Sequence, residues 1–370
     1  MTAFAYYRLP YLHHAIKVVQ DEGMPEVLAS VGELNGKEGF VVAPFSPSAE
    51  CPVVLIHPNR VKYIPIRKGQ ACPNDDSEEE QGRLARLLSR QEEQALYFED
   101  FDQFHGLLED GLLKKIVLSR CSKRRVRGEK PYTPSEPDTP FVQKLFLEAC
   151  AKYPRLFVAL VYTEQSGMWL MATPEILLRG EKTDLTTISL AGTQKAQPSK
   201  MVADYPVEGV EWSEKNREEQ QYVTDYIEQC VQSFTSDYSL VGPYTTMAAQ
   251  LYHLRTDISF RLSDSLCLGD VLEALYPTPA VCGIPKKAAM DFILTHEHDA
   301  RKYYSGFVGP INPLGHTDLF VSLRCVRIGD DGSLDIYAGG GLLRESEKLR
   351  EWEETEAKME TIKRVLVSEE

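Results

Sequence analysis

The sequence predicts an α+β fold, antiparallel sheet with helices packed on it, and three patterns carry that prediction. Two adjacent apolar runs, LFVALVY and MWLMA, read as the strands of one hairpin, with no room for a crossover helix between them. SLRCVRIGDDGSLDIYAGG reads as a second hairpin that turns at Asp-Asp-Gly. Residues 213–235 and 345–366 carry the two longest helical patterns, and nothing resembles a G-x-G-x-x-G dinucleotide unit or a P-loop.

The remaining elements follow along the chain. Residues 68–82, KGQACPNDDSEEEQG, are polar and turn-rich and read as a solvated loop. KKIVLSR begins a strand, and the four prolines of RGEKPYTPSEPDTP (127–140) mark an extended connection. FVQKLFLEACAKY is an amphipathic helix ahead of the first hairpin, and EILLRG and LTTISLAGT are two further strands. No fixed-period repeat is present.

A chain of 370 residues with 43% hydrophobic residues has the material for a substantial core, in one large domain or two. Its formal charge of −14 argues against nucleic acid as a partner, because phosphate contacts need clustered cations. A small anionic substrate would need local cations or a bound metal. No stretch approaches the ~20 apolar residues that span a bilayer, so no membrane partner is expected. The start, MTAFAYYRLPYLHHAIKVV, lacks the basic and then apolar pattern of a signal peptide. Eight cysteines without a C-x-x-C pair fit reduced thiols, and the expected location is the cytoplasm.

The last long helix is read by angle. At ~100° per residue, Trp352, Met359, Ile362 and Leu366 form an apolar arc, with Glu351, Glu354 and Lys358 together at its edge. Glu353, Glu356 and Glu360 point toward solvent. Two carboxylates beside a core suit a hard cation such as Mg²⁺, while an acidic helix with an i,i+4 Glu354–Lys358 pair explains the same pattern. On the other long helix Glu219 lies on the inward stripe of Val223, Tyr226, Ile227, Cys230 and Phe234, where a cation or a salt bridge would satisfy it. Glu175 stands after a Thr-Pro turn among Ile176, Leu177 and Leu178; in a low dielectric it would be a proton donor, at a sheet edge a solvated acid. Lys115 begins its strand, where a lysine is ordinarily solvated and acts as a base only if buried or crowded by positive charge. Gly339, Gly340 and Gly341 permit close backbone approach to an anion or simply a tight turn. HEHD (296–299) offers metal-ligand residue types, yet reads as a surface cluster in a polar turn.

The same residues fall in strings that resemble the chorismate-binding enzymes, the anthranilate, aminodeoxychorismate, isochorismate and salicylate synthases. The strings run in order: KIVLSR (115–120), TPEILL (173–178), LAGT (190–193), KNREEQQYV (215–223), YHL (252–254) and YPTPAVCGIPKKAAM (276–290). YYSGFVG (303–309), SLRC (322–325), YAGGG (337–341) and EWEETEAK (351–358) complete them.

The resemblance implies one domain over 1–370, with 1–105 a variable N-terminal part and 106–370 the chorismate-binding catalytic core. It implies two mainly antiparallel sheets flanked by helices, with the site between the sheets. It further implies Mg²⁺ held by Glu219, Glu351 and Glu354, with Asn216 where a further acid is often seen. Tyr304 and Arg324 resemble the clamp on the enolpyruvyl carboxylate. Gly192, Thr193, His253, Gly339, Gly341 and Lys358 resemble other substrate-contacting positions.

Four positions lean toward isochorismate synthase. Ala191 replaces the nucleophilic lysine of aminodeoxychorismate synthases, and Lys115 matches the general base of isochorismate and salicylate synthases. Leu190 leans toward the same water-using members, and Ala280 stands where isochorismate synthases carry alanine and salicylate and anthranilate synthases usually carry threonine. The expectation is Mg²⁺-dependent conversion of chorismate to isochorismate, an isomerase reaction with Lys115 as base and Glu175 as acid and no glutamine amidotransferase subunit. Alternatives are a salicylate synthase, an aminating synthase component, and a non-catalytic chorismate-binding homologue.

Overall fold

The computed structural model describes residues 3–66, 84–126, 130–195, 206–248 and 251–366. The acidic loop at 68–82 and Cys72 lie outside them, as do residues 127–129 of the proline-rich connection. The first part of the chain holds β1 (Ala3–Arg8), β2 (His14–Gln20), β3 (Glu26–Leu28), β4 (Gly39–Ala43), β5 (Val53–Ile56), β6 (Arg60–Pro65), β7 (Leu84–Arg86) and α1 (Arg90–Glu109). Then follow β8 (Lys115–Val126), α2 (Pro140–Lys152), β9 (Phe157–Thr163), β10 (Gly167–Thr173), β11 (Ile176–Glu181), β12 (Asp184–Lys195) and α3 (Glu214–Gln232). The last third holds β13 (Tyr238–Ala248), β14 (Leu251–Arg261), α4 (Leu268–Leu275), β15 (Gly283–Ile284) and α5 (Lys286–His296). It closes with β16 (Phe307–Ile311), β17 (His316–Val321), β18 (Cys325–Ile328), β19 (Ser333–Leu342) and α6 (Lys348–Leu366).

Two antiparallel sheets result, as the hairpin patterns predict. One runs β15-β8-β19-β18-β10-β9-β1-β2-β6, with β7 also pairing β8, and the other runs β13-β14-β12-β11-β17-β16-β4-β5-β3. Strands of the first 66 residues thus sit in both sheets. β1 shows why the sheets stack. Every residue of it is buried, and alternate side chains serve different cores. Ala3, Ala5 and Tyr7 join the layer between the sheets, where Phe157 and Phe320 stack at 4.1 Å, while Phe4 and Tyr6 pack beneath α2 and α6. On the far side, α3 and α4 cover the second sheet with Val223, Ile227, Val231 and Leu272.

The helices start where their sequence allows. Ser89 and Glu92 form a reciprocal capping box on α1, Thr139 caps α2 ahead of Pro140, and the Ser213 hydroxyl accepts from the Asn216 N–H of α3. Trp352, Met359 and Ile362 of α6 are fully buried, as its angular pattern predicts. Glu356 departs from that pattern: it accepts from Arg120 of the neighbouring sheet and lies near Lys363 two turns on in its own helix, so it faces cations and not open water. Among the described residues, no helix is long and apolar enough to cross a membrane, and seven cysteines are free thiols.

Candidate active site

The site forms where β8, β12, β14, β19, α3 and α6 converge. The register of β8 with β19 sets Val117, Leu118 and Ser119 opposite Gly341, Gly340 and Gly339. A Cβ at Gly341 would overlap Glu219 Oε1 and stand 2.8 Å from Lys115 Cε; one at Gly340 would stand 3.4 Å from both Glu351 Oε2 and Glu354 Oε1. A Cβ at Gly339 would press on the Tyr304 hydroxyl at 2.9 Å. The triplet is therefore a bare strip of backbone that lets charged side chains of two helices close over the sheet.

Lys115 corrects the expectation of a solvated strand end. It is 0% exposed, and its Nζ lies 2.9 Å from Glu219 Oε1. Strand position alone suggests water, but α3 brings Glu219 across, and a buried ammonium needs such a partner. Burial pushes the Glu219 carboxyl up, yet Lys115, Lys215 and Lys358 outweigh it and hold it below the ordinary range. Glu219 Oε2 also accepts from the Gly192 N–H at 3.2 Å.

Two further lysines repeat the arrangement on α6. Lys358 donates to Glu354 at 2.7 Å and to the Gly339 carbonyl at 2.9 Å, and Lys215 of α3 donates to Glu351. Burial and the neighbouring Glu354 push the Glu351 carboxyl up against the pull of Lys215. Sequence reasoning passed over Lys215. Its only signal is its place at the head of the KNREEQQYV string, since its partner lies 136 residues away.

β12 contributes the LAGT string. Its pairing with β14 shifts register between Ala191 and Gln194, so Gly192, at φ +69°, and Thr193 bulge into the site. Gln220, also passed over, accepts from the Ala191 N–H and donates to Ser189, tying this bulge to α3. His253 of β14 bridges onward, with Nδ1 3.0 Å from the Gly192 carbonyl oxygen and Nε2 2.9 Å from Arg324 Nη2. Arg324 holds a left-handed backbone at φ +48°, unusual for a side chain of its size and a mark of functional sites. Burial lowers its pKa to about 10. Tyr304 is buried and stacks on Tyr337 with ring centres 5.3 Å apart.

Glu175 lies in the link between β10 and β11. It is 4% exposed, which excludes the solvated edge-strand reading. Burial pushes its carboxyl up to about 7, against the opposing pull of Lys115, Lys358 and Arg324. A carboxyl poised there exchanges a proton near neutrality.

A cavity of about 650 Å³, open mouth included, gathers these groups. Glu175, Gly192, Thr193, Glu219, His253, Ala280, Tyr304, Arg324, Gly339, Gly341, Glu354 and Lys358 line it. Lys115 and Glu351 sit one layer back, against Gly341 and Gly340. Gly340, Leu323 and Pro174 also line it, and the first completes the glycine triplet. HEHD takes no part. Its Glu297 is no surface residue: it pairs with Arg301 through Nε at 2.6 Å and accepts from the Ser119 N–H at 2.7 Å. Arg301 in turn donates to the Val117 carbonyl, so the pair substitutes for a missing strand at the edge of β8.

Glu219, Glu351 and Glu354 suit a divalent cation in kind, being hard-oxygen donors, Glu351 buried and the other two partly so, with burial and then the charge of Glu354 raising Glu351. As placed, each is neutralised by a lysine, and among the described residues no three acids, histidines or cysteines surround a common point.

The sequence profile of the family described as "Chorismate binding enzyme" matches residues 62–367. The chain belongs to the chorismate binding enzyme family. Within it, the chain is 29% identical over 197 residues to the isochorismate synthase EntC of Escherichia coli K12, covering 53% of this chain and 50% of that one. It is 32% identical over 261 residues to the salicylate biosynthesis isochorismate synthase of Pseudomonas aeruginosa, covering 69% and 51%. The chain thus spans about half the length of these curated relatives. Its fold matches the solved structure of MenF, the menaquinone-specific isochorismate synthase of Escherichia coli, with a TM-score of 0.77 and 20% identity over 99% of this chain and 89% of that one. Anthranilate synthase component I of Streptococcus pneumoniae matches with a TM-score of 0.66 and 16% identity, over 98% and 92%.

Proposed function

We propose that this protein is an isochorismate synthase that converts chorismate to isochorismate with Mg²⁺ as cofactor. The observation that carries the reading is the presence at one site of Glu175, a cavity-lining buried carboxyl pushed up to about 7, and Lys115, a fully buried lysine one layer behind the cavity whose charge acts on Glu175. The relatives named isochorismate synthase agree with it.

In this reading Arg324, with Tyr304, binds the enolpyruvyl carboxylate of chorismate, as a guanidinium fork suits. Glu219, Glu351 and Glu354 would hold Mg²⁺, which supplies positive charge to the ring carboxylate. The Lys115–Glu219 pair opens, the Lys115 ammonium releases its proton to solvent, and the resulting amine takes a proton from water as the oxygen bonds to C2. The ring double bonds shift, the C4–oxygen bond breaks, and protonated Glu175 delivers its proton to the departing hydroxide. One water enters and one leaves, so chorismate and isochorismate are isomers. Ala191 leaves no amine beside Gly192 for covalent addition to the ring.

The test is incubation of the purified protein with chorismate and Mg²⁺, without ammonia or glutamine, and chromatography of the products. The expected outcome is isochorismate in a final mixture with chorismate, lost in EDTA and restored by Mg²⁺. Salicylate with pyruvate would mean a salicylate synthase, product only with ammonia an aminating synthase, and unchanged chorismate under all conditions a binding protein.

A further inference from the structure

We infer that His253 is a positioning residue, a neutral imidazole protonated on Nδ1 that fixes the Arg324 guanidinium by accepting one of its N–H bonds. The inference rests on the proposed role of Arg324 in holding a substrate carboxylate, but its structural half stands on hydrogen-bond chemistry alone. A guanidinium has only donors. With Arg324 Nη2 2.9 Å from Nε2, that ring nitrogen must present its lone pair. The Gly192 carbonyl oxygen has only lone pairs, so Nδ1, 3.0 Å away, must carry the hydrogen. Of the three protonation states of imidazole, one satisfies both neighbours. The imidazolium would set an N–H against the N–H of a cation, and the other neutral tautomer would mismatch both contacts.

The surroundings reinforce this state. His253 is 6% exposed, and burial followed by the charges of Arg324 and Lys358 holds its pKa well below the ordinary value. Glu219, the carboxylate bonded to Gly192, is engaged by Lys115 and the Gly192 N–H, while Glu175 and Glu354 face Arg324. The path has a direction. Gly192 turns its carbonyl inward because the bulge of β12 sets it at φ +69°, His253 relays that position, and Arg324 receives it. Arg324 leaves the chain from a left-handed residue between β17 and β18, so the imidazole is a tether from a second element. Both ring nitrogens are spent in this bridge, which leaves His253 no proton to exchange with substrate.

The experiment uses the full chain labelled with ¹⁵N-histidine. Long-range proton–nitrogen correlations across each ring report the tautomer, and the His253 signal is identified by its loss in His253→Gln. The expected result is the Nδ1–H tautomer, unchanged between about pH 5 and pH 9, a range through which an ordinary histidine titrates. An imidazolium or an Nε2–H signal would overturn the inference. In steady-state kinetics, His253→Phe should raise the KM for chorismate about tenfold, with kcat changed less than about threefold, the signature of lost uniform binding. His253→Gln should restore most of that KM, because its amide oxygen can accept from Arg324. A Gln variant no better than Phe, or a Phe variant with unchanged KM and a collapsed kcat, would contradict positioning. If the wild-type protein leaves chorismate unchanged, the proposed activity fails, and the tautomer measurement still decides the state of the imidazole.

Discussion

The start and the middle of β8 carry buried charge of the same kind and put it to different uses. At the middle, Arg120 donates to Thr355 at 2.7 Å and to Glu356, and its guanidinium lies 3.7 Å over the Trp352 ring. Glu93 stands 3.6 Å from Arg120 and accepts from Arg124 and Ser122. Here the cations knit α1 and α6 onto the sheet. At the start, five residues earlier, Lys115 meets a single carboxylate, and the facing strand is glycine. The bare backbone brings the Lys115–Glu219 pair against the large cavity, whereas the Arg120 cluster, which lines a smaller cavity of about 430 Å³, is tied to α1 and α6 by several bonds at once. Buried charge is free to do chemistry where it has a single partner beside bare backbone, and becomes architecture where several bonds lash it to neighbouring helices.

That contrast can be broken from either end. The largest effects belong to the cavity: Lys115→Gln and Glu175→Gln should each lower kcat by about 10²–10⁴, the worth of a general acid or base, with circular dichroism unchanged. Near-wild-type turnover in either variant removes its assigned role. In the wild type, turnover should fall as pH rises through about 7, where Glu175 loses its proton, and that limb should vanish in Glu175→Gln.

At the other cluster the effect should be on stability. Arg120→Met leaves Glu93 and Glu356 short of a cation and should cost about 3 kcal/mol in denaturant unfolding while kcat changes little. Loss of turnover without loss of stability would erase the distinction between the two ends.

Glu175 also makes a stability prediction of definite sign. Its folded pKa, about 7, lies above its ordinary 4.5, so the folded chain keeps a proton that the unfolded chain has released. Its contribution is nil below about pH 4.5 and opposes folding increasingly up to about pH 7. Glu175→Gln should therefore stabilise the protein by up to about 3 kcal/mol at pH 8 and by nothing at pH 4, read from urea midpoints. The smallest expected effect is that of Gly341→Ala, which crowds Glu219 and Lys115 and should cost about 1–3 kcal/mol of overpacking with lowered turnover.

Much of this is legible in the sequence, and the exceptions have physical reasons. The helical period alone places Glu351, Glu354 and Lys358 on one edge of α6, because side chains three, four and seven apart share a face. Period-two runs and the Asp-Asp-Gly turn give the antiparallel strands. The ordered strings, and not periodicity, supplied Tyr304, Arg324 and His253. What local pattern cannot reveal is a partner that is distant in sequence. Lys115 looks solvated until α3 brings Glu219, and Lys215 is one lysine among many until α6 brings Glu351. Glu297 reads as a surface acid because its turn is polar, yet Arg301 and the open edge of β8 bury it.

The central claim is that Lys115 and Glu175 act as base and acid on a solvent water. Turnover of chorismate in H₂¹⁸O with Mg²⁺, followed by mass spectrometry of the isochorismate formed in the first few per cent of reaction, tests it directly. The account predicts one ¹⁸O per product molecule, carried by the new hydroxyl at C2. Isochorismate that retains only ¹⁶O would show that the original hydroxyl migrates within the substrate, and would contradict the account.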